Sequence, residues 1–180
     1  MFIGSSNPLG ASIDPTELSF TSLQQVDRSA VSGSAVTSVD ITGLDLEGDG
    51  GTYIIVGYMD NALAAGLDIY MYANGDTTGT NYYHQRFGAD HNSLSGARGN
   101  SPVITGLETS LQTAFIIHLS KMASCKPLAF STNAQPGAAM RGLCRWWNWE
   151  TTSNITQLTF TGSSASGIDV GSFIEIWKVV

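Results

Sequence analysis

Three histidines, two cysteines and one acidic turn are the side chains of this chain whose chemistry could go beyond packing. His84 falls in the stretch 82–87, read as a strand, His91 beside Asp90 in the long loop read over 88–102, and His118 in the apolar run 113–119, read as a buried strand. A zinc site needs three or four donors at short, regular separations. The step from His84 to His91 fits no such spacing, so these histidines read as hydrogen-bonded or water-facing side chains. The stretch Asp45-Leu46-Glu47-Gly48-Asp49-Gly50 has oxygen donors at its first, third and fifth positions and glycine at its sixth, as a calcium loop begins. The twelfth position, where such a loop needs a bidentate glutamate, is Val56, inside an apolar run. The stretch therefore reads as an acidic hairpin turn. No Gly-x-Ser-x-Gly elbow, phosphate-cradling glycine loop or His-Glu-x-x-His occurs. Cys125 and Cys144 have no matched histidine nearby. The 15 acidic residues could supply a glycosidase pair, but nothing designates two of them. The expectation is a chain that is not an enzyme, with no catalytic residue, no metal and no cofactor.

The aromatic residues are the stronger candidates. Trp146, Trp147 and Trp149 sit close together. On a strand, 147 and 149 share one face and 146 takes the other. At least one must be core; the others are open to an intersubunit contact or to stacking on a sugar ring, helped by Asn148 and Glu150. Tyr82 and Tyr83 lie next to residues 88–102, which lack periodicity and read as a long loop of the kind that carries function. The candidate binding residues are thus Tyr82, Tyr83, Trp147 and Trp149, as core, interface or glycan platform.

The elements that must position them are strands. Apolar residues make up 42 % of the 180 residues, charged residues only 13 %, and there are 20 glycines. Runs rich in Val, Ile, Thr, Tyr and Trp recur between Gly-rich turns. Residues 36–44 and 67–73 alternate; 52–60 are nearly continuously apolar, as in a central strand covered on both faces. Asn74-Gly75-Asp76 is a strong turn signal. No helix signal of ten or more residues stands out. The pattern predicts an all-β fold, an antiparallel β-sandwich or jelly roll of about nine to eleven strands. Residues 1–17 lack periodicity and read as an irregular N-terminal arm ahead of a domain over 18–180. A net charge of −7 and scattered basic residues argue against nucleic-acid binding. No apolar run approaches the length that crosses a bilayer. The start of the chain lacks the pattern of a secretory leader, so both thiols are expected to be free and buried.

The C-terminal stretch carries two more strands. Leu158 and Phe160 alternate with Ile155 one residue out of phase, which predicts a bulge or a late strand start. After a Gly/Ser loop, Ile174 and Ile176 share one face while Phe173, Glu175, Trp177 and Val179 share the other. Trp147, Asn148, Ile155, Thr156, Leu158 and Phe160, followed by Gly171, Ser172, Phe173, Ile174, Ile176 and Trp177, resemble the closing hairpin of a group of bacteriophage virion proteins. These are β-sandwich domains of tail fibres, tail-associated proteins and capsid-surface appendages. Residues 38–45 with 53–56 are similar to the early strand pair of the same group. The resemblance implies a non-enzymatic virion structural protein, a tail-fibre or capsid-decoration module, made in the host cytoplasm. It also implies a homo-oligomer, a trimer in such appendages, with other virion proteins as partners and the arm as its attachment. The alternative function is recognition of a host surface glycan.

Overall fold

The computed structural model describes residues 23–90, 93–107, 109, 111–135 and 141–180. The expected arm over 1–17, the boundary at 18 and His91 lie outside the described residues. Within them the chain forms twelve strands: β1 (Leu23–Ala30), β2 (Ser38–Thr42), β3 (Thr52–Asp60), β4 (Leu67–Ala73), β5 (Tyr82–Asp90), β6 (Ser93–Gly99), β7 (Val103–Leu107), β8 (Gln112–Ser120), β9 (Leu128–Gln135), β10 (Arg141–Trp149), β11 (Gln157–Gly162) and β12 (Phe173–Val179). All pairings between them are antiparallel. Eight strands make one sheet, in the order β1-β12-β3-β8-β9-β10-β5-β6, and four make the other, β2-β11-β4-β7. The fold is the all-β sandwich that the composition predicts.

The count exceeds the expected range by one, and the reason is local. Most of the described residues of 88–102 are strand, not loop. β5 continues to Asp90, and β6 returns beside it in register from Asp90↔Ser93 to His84↔Gly99. The apolar signal fails here because the strand is an edge. Its outward side chains include Leu94 and Arg98, while Ser95 and Ala97 face inward, so no alternation of hydrophobicity marks it.

Period-2 alternation fixes the core. On β3, Tyr53, Ile55 and Met59 point inward and are fully buried, while Ile54, Val56 and Tyr58 on the outer face are only half-buried. The strand is central, between β12 and β8, yet among the described residues only one of its faces is closed. Phe115 on β8 lies directly over Gly57. A methyl group on Gly57 would sit 1.9 Å from the Phe115 ring, so this strand position is held open for the ring. Opposite them, the inward faces of β2, β4 and β11 supply Ile41, Ile69, Met71, Leu158 and Phe160.

The two segments that carry the resemblance meet in space, but not as hairpins. β11 lies between β2 and β4 in the small sheet, and β12 lies between β1 and β3 in the large one. The chain crosses from one sheet to the other between them, through buried Ile168, which bridges to Val36 and Asn61. The early pair, β2 and β3, is likewise split between the sheets. β2 pairs with β11 and β3 with β12, so each early strand takes one of the closing strands as its neighbour. Ile155 precedes β11 and is buried there, its carbonyl accepting the Leu46 N–H, so the out-of-phase position is a late strand start.

Candidate functional site

The aromatic residues divide sharply. Tyr82, Trp147 and Trp149 are inward on β5 and β10 and belong to the core; Tyr83 alone of the four faces outward and is exposed. Tyr82 is the centre of the cluster. Its ring lies 5.5 Å from Trp147, 6.4 Å from Trp149 in a near-parallel stack, and 5.8 Å edge-on to Tyr72. Its hydroxyl donates to the Asp76 carbonyl at 2.7 Å and accepts from the Ala73 N–H at 3.1 Å. Burial, the first cause, pushes this phenol's pKa well above its ordinary value. Three of the four candidate residues are therefore shut off from any ligand arriving from solvent.

The turn after β4 ties this cluster down. Asn74 and Gly75 both take positive φ, 51° and 71°, and the Asp76 N–H bonds the Ala73 carbonyl, a type I′ geometry that Asn-Gly adopts at low cost. Here the turn sends the chain from the small sheet to the large one rather than closing a hairpin. It also places the Asp76 carboxylate against the Trp149 indole N–H (2.8 Å), the Asn81 amide (2.9 Å) and the Thr78 N–H (3.0 Å). Burial alone would raise the Asp76 pKa, but these donors outweigh it and hold the carboxyl below its ordinary 3.8. Asp49 is also held below that value, by Lys178 first and then by the Tyr53 hydroxyl. A carboxyl with a depressed folded-state pKa contributes stability that is complete above the unfolded value and lost as pH falls through the folded one. The melting temperature is therefore expected to drop as pH falls below the ordinary carboxylate value of 3.8. Asp76→Asn should flatten that drop, and an identical profile in the variant would remove Asp76 from the account.

Among the described residues, the outer face of the large sheet is left open. Ile116 on β8, Leu128 on β9, Trp146 on β10, and Tyr83 and Phe87 on β5 all point outward, and each is 44 % to 61 % exposed. Phe130 supports Trp146, with ring centroids 5.3 Å apart. At one edge the face ends in the Arg28–Glu175 ion pair (3.1 Å), with Arg28 over the Phe173 ring. At one end it meets the Lys126–Glu150 pair and Asn148, which donates to Glu150. Between Tyr83, Trp146 and Leu128 the surface dips into a groove of about 460 Å³, edged by Gln85, Arg98 and Asn148. The exposed aromatic that accompanies Tyr83 is Trp146, which the candidate set omits. The signal for it was present: if 147 and 149 are core, strand alternation turns 146 to water.

The remaining reactive groups are engaged or dispersed. In the acidic turn, Asp45 accepts from the Gly48 N–H and the Asn154 amide, while Asp49 takes the Tyr53 hydroxyl and Lys178. His84 is half-buried against Ser101, and burial lowers its pKa. His118 is exposed on the outer face rather than buried, because strand β8 closes only its other side. Both thiols are free, but neither is buried: Cys125 is exposed in the β8–β9 connection and Cys144 lies on the outer face of β10. Among the described residues no three His, Cys, Asp or Glu side chains gather as a metal-holding group. Comparison with protein-family models, with curated proteins and with solved structures finds no match to this chain.

Proposed function

We propose that the chain is a non-enzymatic structural module of a bacteriophage particle, a tail-fibre or capsid-surface appendage or decoration protein that works as a homo-oligomer. The observation that carries this reading is the outer face of the eight-stranded sheet. Monomeric proteins seldom leave so many large apolar side chains together in water, and contiguous patches of this kind mark interaction sites. Aromatic residues dominate it, as they do at protein interfaces, and charge is confined to its margins. The occupant is a second copy of the same face or of a neighbouring strand edge, and closed packing of three such sandwiches gives a trimer. The virion assignment rests on the resemblance of residues 38–56 and 147–177, and the mutual pairing of β2 with β11 and β3 with β12 gives those segments one shared structural role.

Residues 1–17 are the attachment to the particle in this reading. Deleting them is expected to leave a folded domain that no longer enters purified particles. Unchanged incorporation would overturn the arm.

A second reading, recognition of a host surface glycan, is favoured by the groove itself. Tyr83 and Trp146 offer ring faces, and Gln85, Arg98 and Asn148 offer hydrogen-bonding groups beside them. Quenching of tryptophan fluorescence by a host oligosaccharide, abolished by Tyr83→Ala, would favour it over pure architecture. No quenching across a panel of host glycans would leave architecture alone.

A further inference from the structure

A second concave site lies on the other side of the large sheet. The small sheet ends at β7, which packs over β8, β9 and β10, while β5 and β6 extend past it in the eight-stranded order. The overhang leaves a cleft of about 240 Å³ between the inner face of β5, β6 and β10 and the edge formed by β7 and the start of β4. We infer that this cleft binds a carboxylate-bearing sugar ring, a single acidic monosaccharide unit.

The charges come first. Arg86 and Arg145 are direct cross-strand partners on the inward face of β5 and β10. Like charges directly opposite on neighbouring strands destabilise a sheet. This chain has only eight basic residues against 15 acidic ones, yet two of the eight are paired here. Arg145 is 4 % exposed, and its Nη2 lies 3.8 Å from Asp68 Oδ1. Arg86 is exposed and has no ion pair or hydrogen bond among the described residues. A planar guanidinium with free donors is the group best matched to a carboxylate.

The acceptors decide which anion fits. Gln135 is 3 % exposed; its Nε2 donates to the Gly106 carbonyl, and its Oε1 is buried with no hydrogen-bond partner among the described residues. A buried acceptor without a donor is costly, so a ligand hydroxyl reaching it is favoured. The Asp68 carboxylate, half-exposed at the mouth, is a further acceptor. Ser163 Oγ, which accepts from the Asp68 N–H, still has its proton to donate. Gly106 keeps the wall thin: a Cβ there would lie 3.4 Å from Asp68 Oδ1 and 3.5 Å from Arg145 Nη2. A phosphate dianion would satisfy Arg86 but set a double negative charge against Asp68 where a carboxylate sets a single one. A neutral sugar could accept hydrogen bonds from Arg86 but would leave its charge unbalanced. A carboxylate on a hydroxylated ring uses every group, and a space equal to roughly eight waters suits one ring rather than a chain.

The site is independent of the outer face, so its failure would leave the assembly reading intact. The test is a titration of the isotope-labelled full chain with D-glucuronate, followed by amide chemical shifts, with D-glucose and inorganic phosphate as controls. Saturable shifts at Arg86, Gly106 and Gln135 are expected with glucuronate alone. Arg86→Gln, at an exposed position, should keep the spectrum of a folded chain and weaken binding by about tenfold or more. Gly106→Ala should also weaken it by narrowing the cleft. The inference is overturned by no shifts, by equal shifts with glucose, by equal shifts with phosphate (a simple anion site only), or by unchanged glucuronate binding in Arg86→Gln.

Discussion

Trp147→Ala is expected to cost about 3–5 kcal/mol of folding stability, the range for truncating a large buried aromatic. Trp147 is 1 % exposed and fills the space beneath Tyr82, whose hydroxyl in turn fixes the turn that holds Asp76. Removing the indole leaves a cavity bounded by a ring that cannot move without breaking its hydrogen bonds to Asp76 and Ala73. The loss is large against the roughly 5–15 kcal/mol that holds a domain together. Trp147→Phe should cost far less. The Trp147 indole N–H is buried without a hydrogen-bond partner among the described residues, so phenylalanine removes an unpaired donor while keeping most of the ring volume. Urea midpoints at constant slope measure both. An alanine variant within about 1 kcal/mol of the parent would contradict the assignment of Trp147 to the core.

The second large effect concerns assembly. Trp146→Glu combined with Ile116→Glu is expected to convert an oligomer to monomers while the fold survives. Both side chains are about half exposed, so in the isolated chain their replacement touches stability little. At a packed interface each anchor residue of this kind is worth about 2 kcal/mol or more. Losing two, and burying charge in their place, should weaken association by about a thousandfold. Sedimentation or light scattering of the double variant reads the mass, and circular dichroism reads the fold. An oligomer of unchanged mass would move the interface elsewhere on the molecule.

Trp146 and Trp147, neighbours in sequence and opposite in role, show what the sequence made legible. Alternation around 146–149 required that one face of the strand be core, and the structure puts Trp147 and Trp149 there. Choosing which face was core needed the partner sheet, and that depends on pairings between residues far apart in the chain, such as Ile41↔Leu158 and Phe160↔Met71. The same limit explains the closing segment. Two consecutive strands with a short loop read locally as a hairpin, and only the partners of β11 and β12 reveal that they lie in different sheets. β6 was not legible because an edge strand reading Ser-Leu-Ser-Gly-Ala-Arg-Gly, with a single large apolar residue, carries no hydrophobic period. The cleft at Arg86 was beyond reach for a different reason. Nothing in the sequence places Arg86 opposite Arg145, or either near Gln135, until the register of β5, β9 and β10 is fixed.

The central claim is that the open face of the large sheet is covered by other copies of the chain. The most direct measurement is the mass of the purified chain by light scattering at two concentrations. The account predicts about three times 19.1 kDa at both, a stable trimer. A persistent 19.1 kDa monomer at both would contradict it.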